Sequence, residues 1–151
     1  MARPKFSVQH FVACLSVSWE GFPGSKTART LEGVIHRFSV SPGAEPGFEF
    51  DEIWLYARLF RSTQVEGTRE FSVKLVWLDA PGGARDVLSR PLSIVRFTNA
   101  EPIVNIAWSL RPIEFPGLGQ YEFRLRTSVR RRVGTAQLIV AREFIQIEQQ
   151  P

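Results

Sequence analysis

A single cysteine, Cys14, among 151 residues rules out an intramolecular disulfide. The chain shows no adaptation to an oxidising compartment, so the cytoplasm is its simplest setting. Histidine is nearly as scarce, with only His10 and His36. Gly-x-Ser-x-Gly, His-Glu-x-x-His, paired-cysteine and phosphate-cradling glycine motifs are all missing. Those absences remove the local signatures of serine hydrolases, zinc peptidases and nucleotide-binding loops. No apolar run approaches the roughly 18 residues that a membrane-spanning helix needs. Phe11, Val12, Ala13 and Cys14 loosely follow a lipoprotein processing site. Ser7, Gln9 and His10, however, interrupt the stretch where an apolar h-region belongs.

Aromatic residues are plentiful, with twelve Phe and four Trp against one Met. Rings pack well on a pleated surface, and this balance favours strands over helices. The length suits one domain, residues 1–151, whose core needs no disulfide or structural metal. The net charge is +4. Most of the excess is local, since residues 121–151 hold six Arg and three Glu. Arg outnumbers Lys throughout, as a GC-rich coding bias also produces, and Arg suits bidentate contact with carboxylate or phosphate.

Strand-like runs recur between clusters of Gly, Pro and polar residues. They cover residues 6–19, 30–40, 52–61, 70–78, 87–97, 103–110, 118–129 and 135–147. In the run 52–61, Ile53, Leu55 and Leu59 alternate with Trp54, Tyr56 and Phe60, so both faces are apolar and a central strand, or one covered at one end, is expected. Asp79 to Asp86, DAPGGARD, supplies a preset φ and then glycine freedom, which predicts a hairpin turn. Pro91 must sit at an edge or a bulge. No segment sustains helical spacing over twelve residues. The chain therefore reads as all-β, an antiparallel β-sandwich of about eight strands, with a closed barrel as the alternative.

Tyr121, Phe123 and Leu125 alternate with Glu122, Arg124 and Arg126 just after Phe-Pro-Gly and a further Gly. This FPGLGQYEFRL segment, the stretch 13–40 and the strand pair around 79–86 resemble a family of small bacterial all-β proteins catalogued as a domain of unknown function. The similarity runs over most of residues 10–140. It includes the small residue in Leu31-Glu32-Gly33-Val34 and a closing Phe-Pro-x-x-Gly-x-Tyr followed by a hairpin. A longer first loop, the Arg130–Arg132 turn and the tail after Val140 depart from the family pattern. The resemblance implies a sandwich and carries no activity.

The candidate chemistry is sparse. A hairpin centred near Gly24 places Cys14 opposite about position 34 and diagonal to His36, the only approach to a thiolate–imidazole pair. A buried structural cysteine is the plainer expectation. Glu45, Glu49, Asp51 and Glu52 crowd one loop and strand entry without the ligand spacing of a calcium site, and read as a solvated acidic loop. No metal, cofactor or catalytic residue is assigned.

Two surfaces remain. Arg124, Arg126, Arg130, Arg131 and Arg132 gather on one strand face and its turn, with Arg142 near them on a regular return strand. They form either an edge protected by charge or a site for an anionic ligand such as nucleic acid or an acidic or phosphorylated surface. Tyr121 and Phe123 point the other way, so stacking residues are not interleaved with these cations. Trp54, Tyr56 and Phe60 form a candidate apolar contact face. Phe144, Ile145 and Ile147 extend the last strand toward a free edge. The leading expectation is a non-enzymatic protein–protein interaction or assembly subunit, self-associating or holding another protein. The alternative is an anion-binding module built on the Arg-rich hairpin.

Overall fold

Alternation of apolar and polar side chains dominates the chain, and the backbone answers with strands throughout. A computed structural model describes residues 4–20, 27–100, 102–127 and 131–142. Among the described residues eleven strands run in chain order as β1 (Phe6–Glu20), β2 (Thr27–Val34), β3 (Arg37–Val40), β4 (Phe48–Phe50), β5 (Ile53–Arg61), β6 (Gly67–Trp77), β7 (Arg85–Phe97), β8 (Ile103–Leu110), β9 (Ile113–Phe115), β10 (Gly119–Thr127) and β11 (Arg132–Arg142). One sheet has the order β2-β1-β5-β8, a second β3-β11-β10-β6-β7, and β4 pairs with β9 in a two-stranded ribbon. No helix among the described residues is long and apolar enough to cross a membrane.

The two larger sheets pack as a β-sandwich, as the alternation requires. Leu55, Leu59, Leu75, Phe97, Phe123, Leu125 and Leu138 are almost fully buried between them. Trp108 on β8 donates from Nε1 to Ser93 Oγ on β7 at 2.7 Å, tying an edge of one sheet to an edge of the other. The short ribbon adds Phe48, Ile113 and Phe115 to the same core. Phe115 sets its ring edge against Tyr121 at 5.0 Å and against Phe38 at 5.5 Å.

Several expectations hold at residue level. β5 lies between β1 and β8 as a central strand. β6 and β7 form the hairpin around the Pro-Gly-Gly turn, where Gly82 and Gly83 take φ of 85° and 114°. Pro91 lies on the edge strand β7, next to a register shift opposite Phe71 and Ser72. There its missing N–H breaks no ladder bond.

Two features differ from the reading of the sequence. The apolar run 30–40 is two strands rather than one, because the chain changes sheets in its middle. Ile35 N donates to Ala13 O at 2.8 Å in the first sheet, and the next residue's carbonyl, His36 O, accepts from Ile139 N at 3.0 Å in the second. As a result β3 pairs with β11 in parallel, an exception to the all-antiparallel expectation. β4 and β9, three residues each, fall outside the expected runs, because such short segments carry no periodicity.

Candidate functional site

The FPGLGQY segment turns out to be a structural device. Tyr121 is fully buried; its hydroxyl donates to Gly117 O at 2.6 Å and accepts from Gly117 N at 3.2 Å. A tyrosine at a strand entry, bonded to backbone a few residues upstream, is the tyrosine corner of sandwich folds. Its ring stacks on Trp77 at 5.7 Å with an interplanar angle of 7°. Close approach explains the glycines: a Cβ on Gly117 would lie 2.6 Å from the Trp77 ring, and Gly119, at φ +136°, abuts the Asp79 carboxylate. Burial pushes the Tyr121 phenol above its ordinary value, opposed by the Gly117 hydrogen bond, raised further by Asp79 and lowered by Arg85.

From this corner β10 runs with Tyr121, Phe123 and Leu125 inward and Glu122, Arg124 and Arg126 on the opposite, outer face. β11 and β6 flank it, placing Thr135 and Lys74 beside Arg124, and Arg132 and Ser72 beside Arg126. Glu122, 9% exposed, accepts at Oε1 from Arg124 Nε at 2.7 Å and Arg132 Nη1 at 3.3 Å. Lys74 pairs with Asp86 at 2.9 Å. The outer face of the second sheet is therefore a mixed-charge network, in which carboxylates offset part of the Arg cluster. Arg142 is turned away, donating from Nη1 to the carbonyls of Pro42 at 2.8 Å and Ala44 at 2.9 Å. Arg130 lies outside the described residues, as do Phe144, Ile145 and Ile147.

Arg131 and Arg132 meet two cations that the sequence keeps far away. The segment entering β1 runs beside the start of β11, and Arg69 on β6 reaches the same place. A cleft of about 530 Å³ opens there; among the described residues it is lined by Lys5, Arg69, Arg131 and Arg132 with Ser7 and Ser62, and by no carboxylate. Sequence spacing carried no signal for Lys5 and Arg69, because strand pairing and sheet packing alone bring residues so distant together.

The Trp54 face is the outer one of the first sheet. Ile53, Leu55, Ala57 and Leu59 belong to the core, whereas Trp54, Tyr56 and Phe60 do not. Across the strands, Val12 and Ala107 flank Tyr56, Cys14 and Ser109 flank Trp54, and Ser7 and Ile103 flank Phe60. Val34 continues the row beyond Cys14. Tyr56 is buried among these neighbours and donates to Asn105 Oδ1 at 2.6 Å, Trp54 is half-buried, and Phe60 is 38% and Val34 40% exposed.

Cys14 does stand opposite Val34, as the hairpin reading requires. It is completely buried, and burial pushes its thiol above the ordinary value. His36 is exposed at the point where the chain changes sheets. Of the acidic residues, Glu45, Glu49 and Asp51 are exposed and Glu52 forms an ion pair with Arg111. Among the described residues no three His, Cys, Asp or Glu side chains gather closely enough to hold a metal ion.

The packed sheets define the class, a β-sandwich. No protein-family model matches the chain, and no curated protein is detectably similar to it in sequence. Among solved structures, the alkylpurine DNA glycosylase AlkC of Pseudomonas fluorescens, bound to DNA containing an abasic site analogue, matches 90% of this chain at a TM-score of 0.58 and 8% identity. The beta-D-glucoside glucohydrolase of Trichoderma reesei matches 93% at 0.53 and 13% identity, and the beta-glucosidase of Listeria innocua 91% at 0.50 and 10% identity. The chain spans 30% of the glycosylase, 19% of the glucohydrolase and 16% of the glucosidase. At these identities the likeness is one of fold alone.

Proposed function

We propose that this chain is a non-enzymatic binding module that works by protein–protein contact through the outer face of its β2-β1-β5-β8 sheet. The observation that carries the reading is the apolar row Val34, Trp54, Phe60 and Ile103, partly exposed on the face that the second sheet leaves uncovered, with Tyr56 buried within the row. Apolar surface so arranged gains most of its free energy when a partner removes it from water. Burial of Cys14 with a raised thiol supports a non-catalytic reading. The small share of larger chains that this fold occupies in the solved structures supports a modular one.

Self-association is the first form to test. Light scattering at low and high salt should return a multiple of 17.2 kDa that persists in high salt, and Phe60→Asp should return the monomer. Apolar contacts are not screened, so salt sensitivity would point instead to the charged surfaces. A salt-insensitive monomer at every concentration rejects self-association and leaves a different protein as the partner.

A second reading, binding of an anionic ligand through the C-terminal hairpin, is favoured by the cleft that brings Arg131 and Arg132 together with Lys5 and Arg69.

A further inference from the structure

We infer, building on that second reading, that the cleft between the β1 entry and the β11 start is a site for a small polyphosphate, either free or as the tail of a nucleotide. Four cations converge there from three separate parts of the chain. Lys5 is positioned by its backbone, which accepts from Ser62 N at 2.9 Å and donates to Thr63 Oγ1 at 3.2 Å. Arg69 donates from Nη1 to Pro4 O at 3.0 Å and lies over the Phe6 ring at 5.2 Å. Arg131 is fixed where its carbonyl accepts from Thr127 N at 3.0 Å, and Arg132 shares Glu122 with Arg124.

Holding like charges together costs free energy that a bound anion offsets, and more strongly in a cleft than on an open face. On the outer face of β10, Glu122 and Asp86 sit among the cations, so an incoming anion there meets repulsion as well as attraction. Glu122 reaches Arg132 too, so the attraction of the cleft rests mainly on Lys5, Arg69 and Arg131. Two serines line the cleft and can donate to phosphoryl oxygens. A volume of about 530 Å³ lies within the range of small-molecule sites and has room for more than one phosphoryl group.

The same geometry limits what else is recognised. Phe6, the aromatic residue of the cleft, is occupied by Arg69 and by the rings of Phe97 at 5.5 Å and Phe71 at 5.4 Å. It offers no open platform for a nucleobase, so affinity should follow phosphoryl charge and ignore base identity.

Calorimetric titration of the intact protein with sodium pyrophosphate at low salt tests this. Pyrophosphate should bind one to one; ATP should bind comparably and AMP more weakly. Arg131→Glu or Lys5→Glu should each weaken pyrophosphate by roughly tenfold or more, the scale of one lost charged hydrogen bond. Arg131→Lys should retain binding, Arg124→Glu should weaken it far less than Arg131→Glu does, and unaltered melting curves would establish that the variants fold. Pyrophosphate binding lost in Arg124→Glu but kept in Arg131→Glu overturns the cleft while the hairpin reading stands. Binding of a single-stranded oligonucleotide through Arg124, with no response to pyrophosphate, has the same meaning. If pyrophosphate, ATP and the oligonucleotide all fail to bind, both readings fall.

Discussion

Tyr121 shows how much one hydroxyl can hold. It satisfies both backbone polar groups of Gly117 in a site closed to water, while its ring joins Trp77 and Phe115. Tyr121→Phe keeps the ring and strands an N–H and a C=O. The expected loss is about 1–3 kcal/mol, the cost of leaving buried polar groups unpaired, and urea unfolding measures it. The alternation Tyr121, Phe123, Leu125 was legible because a period of two follows directly from strand geometry. The bond to Gly117 was not, since a short-range contact of that kind depends on how the preceding turn packs against Trp77. A motif that drew attention as a candidate signature is thus explained as packing.

Between elements, Glu122 is the counterpart of Tyr121 on the opposite face. It links β10 to β11 by accepting from Arg124 and Arg132, and it stands beside Val76 on β6. Its side chain is 11% exposed and those of Arg124 and Arg132 31% and 55%, so solvent screens part of each ion pair. Glu122→Gln keeps the shape and leaves the cations uncompensated. Thermal unfolding should register a loss of about 1 kcal/mol, smaller than for a fully buried pair, and the loss should shrink in high salt. The Arg cluster itself was readable from spacing, but its partial neutralisation was not, because the carboxylate that matters is selected by strand register. The same limit applied to β3. An unbroken apolar run shows where residues are buried, yet either sheet could bury them, and the change at Ile35 and His36 is a backbone decision made by Ala13 O and Ile139 N.

At the scale of the whole molecule, three buried acids couple folding to pH in the same direction. Burial raises Cys14 above its usual 9.0, and raises Tyr56 and Tyr121 above 10.0, with Arg58 opposing the shift at Tyr56. Each is neutral when protonated, so the folded state holds the proton more tightly than the unfolded chain. Their contribution is fully present below the unfolded values and is lost as pH rises through the raised ones. Urea midpoints should therefore hold steady up to about pH 9 and fall beyond it. Cys14→Ala should postpone the start of that fall.

The sequence by itself determined that the chain is built from strands, the Pro-Gly-Gly hairpin turn, the central place of β5, the marginal place of Pro91 and which residues of β10 face inward. All of these follow from local rules: side-chain alternation, the fixed φ of proline and the freedom of glycine. Tertiary structure alone decided which sheet each strand joins, the parallel pairing of β3 with β11, the cover over Cys14 and the meeting of Lys5 and Arg69 with Arg131 and Arg132. The physical reason is separation along the chain. Pairing and packing energies act through space between residues dozens of positions apart, and composition and periodicity describe only neighbours.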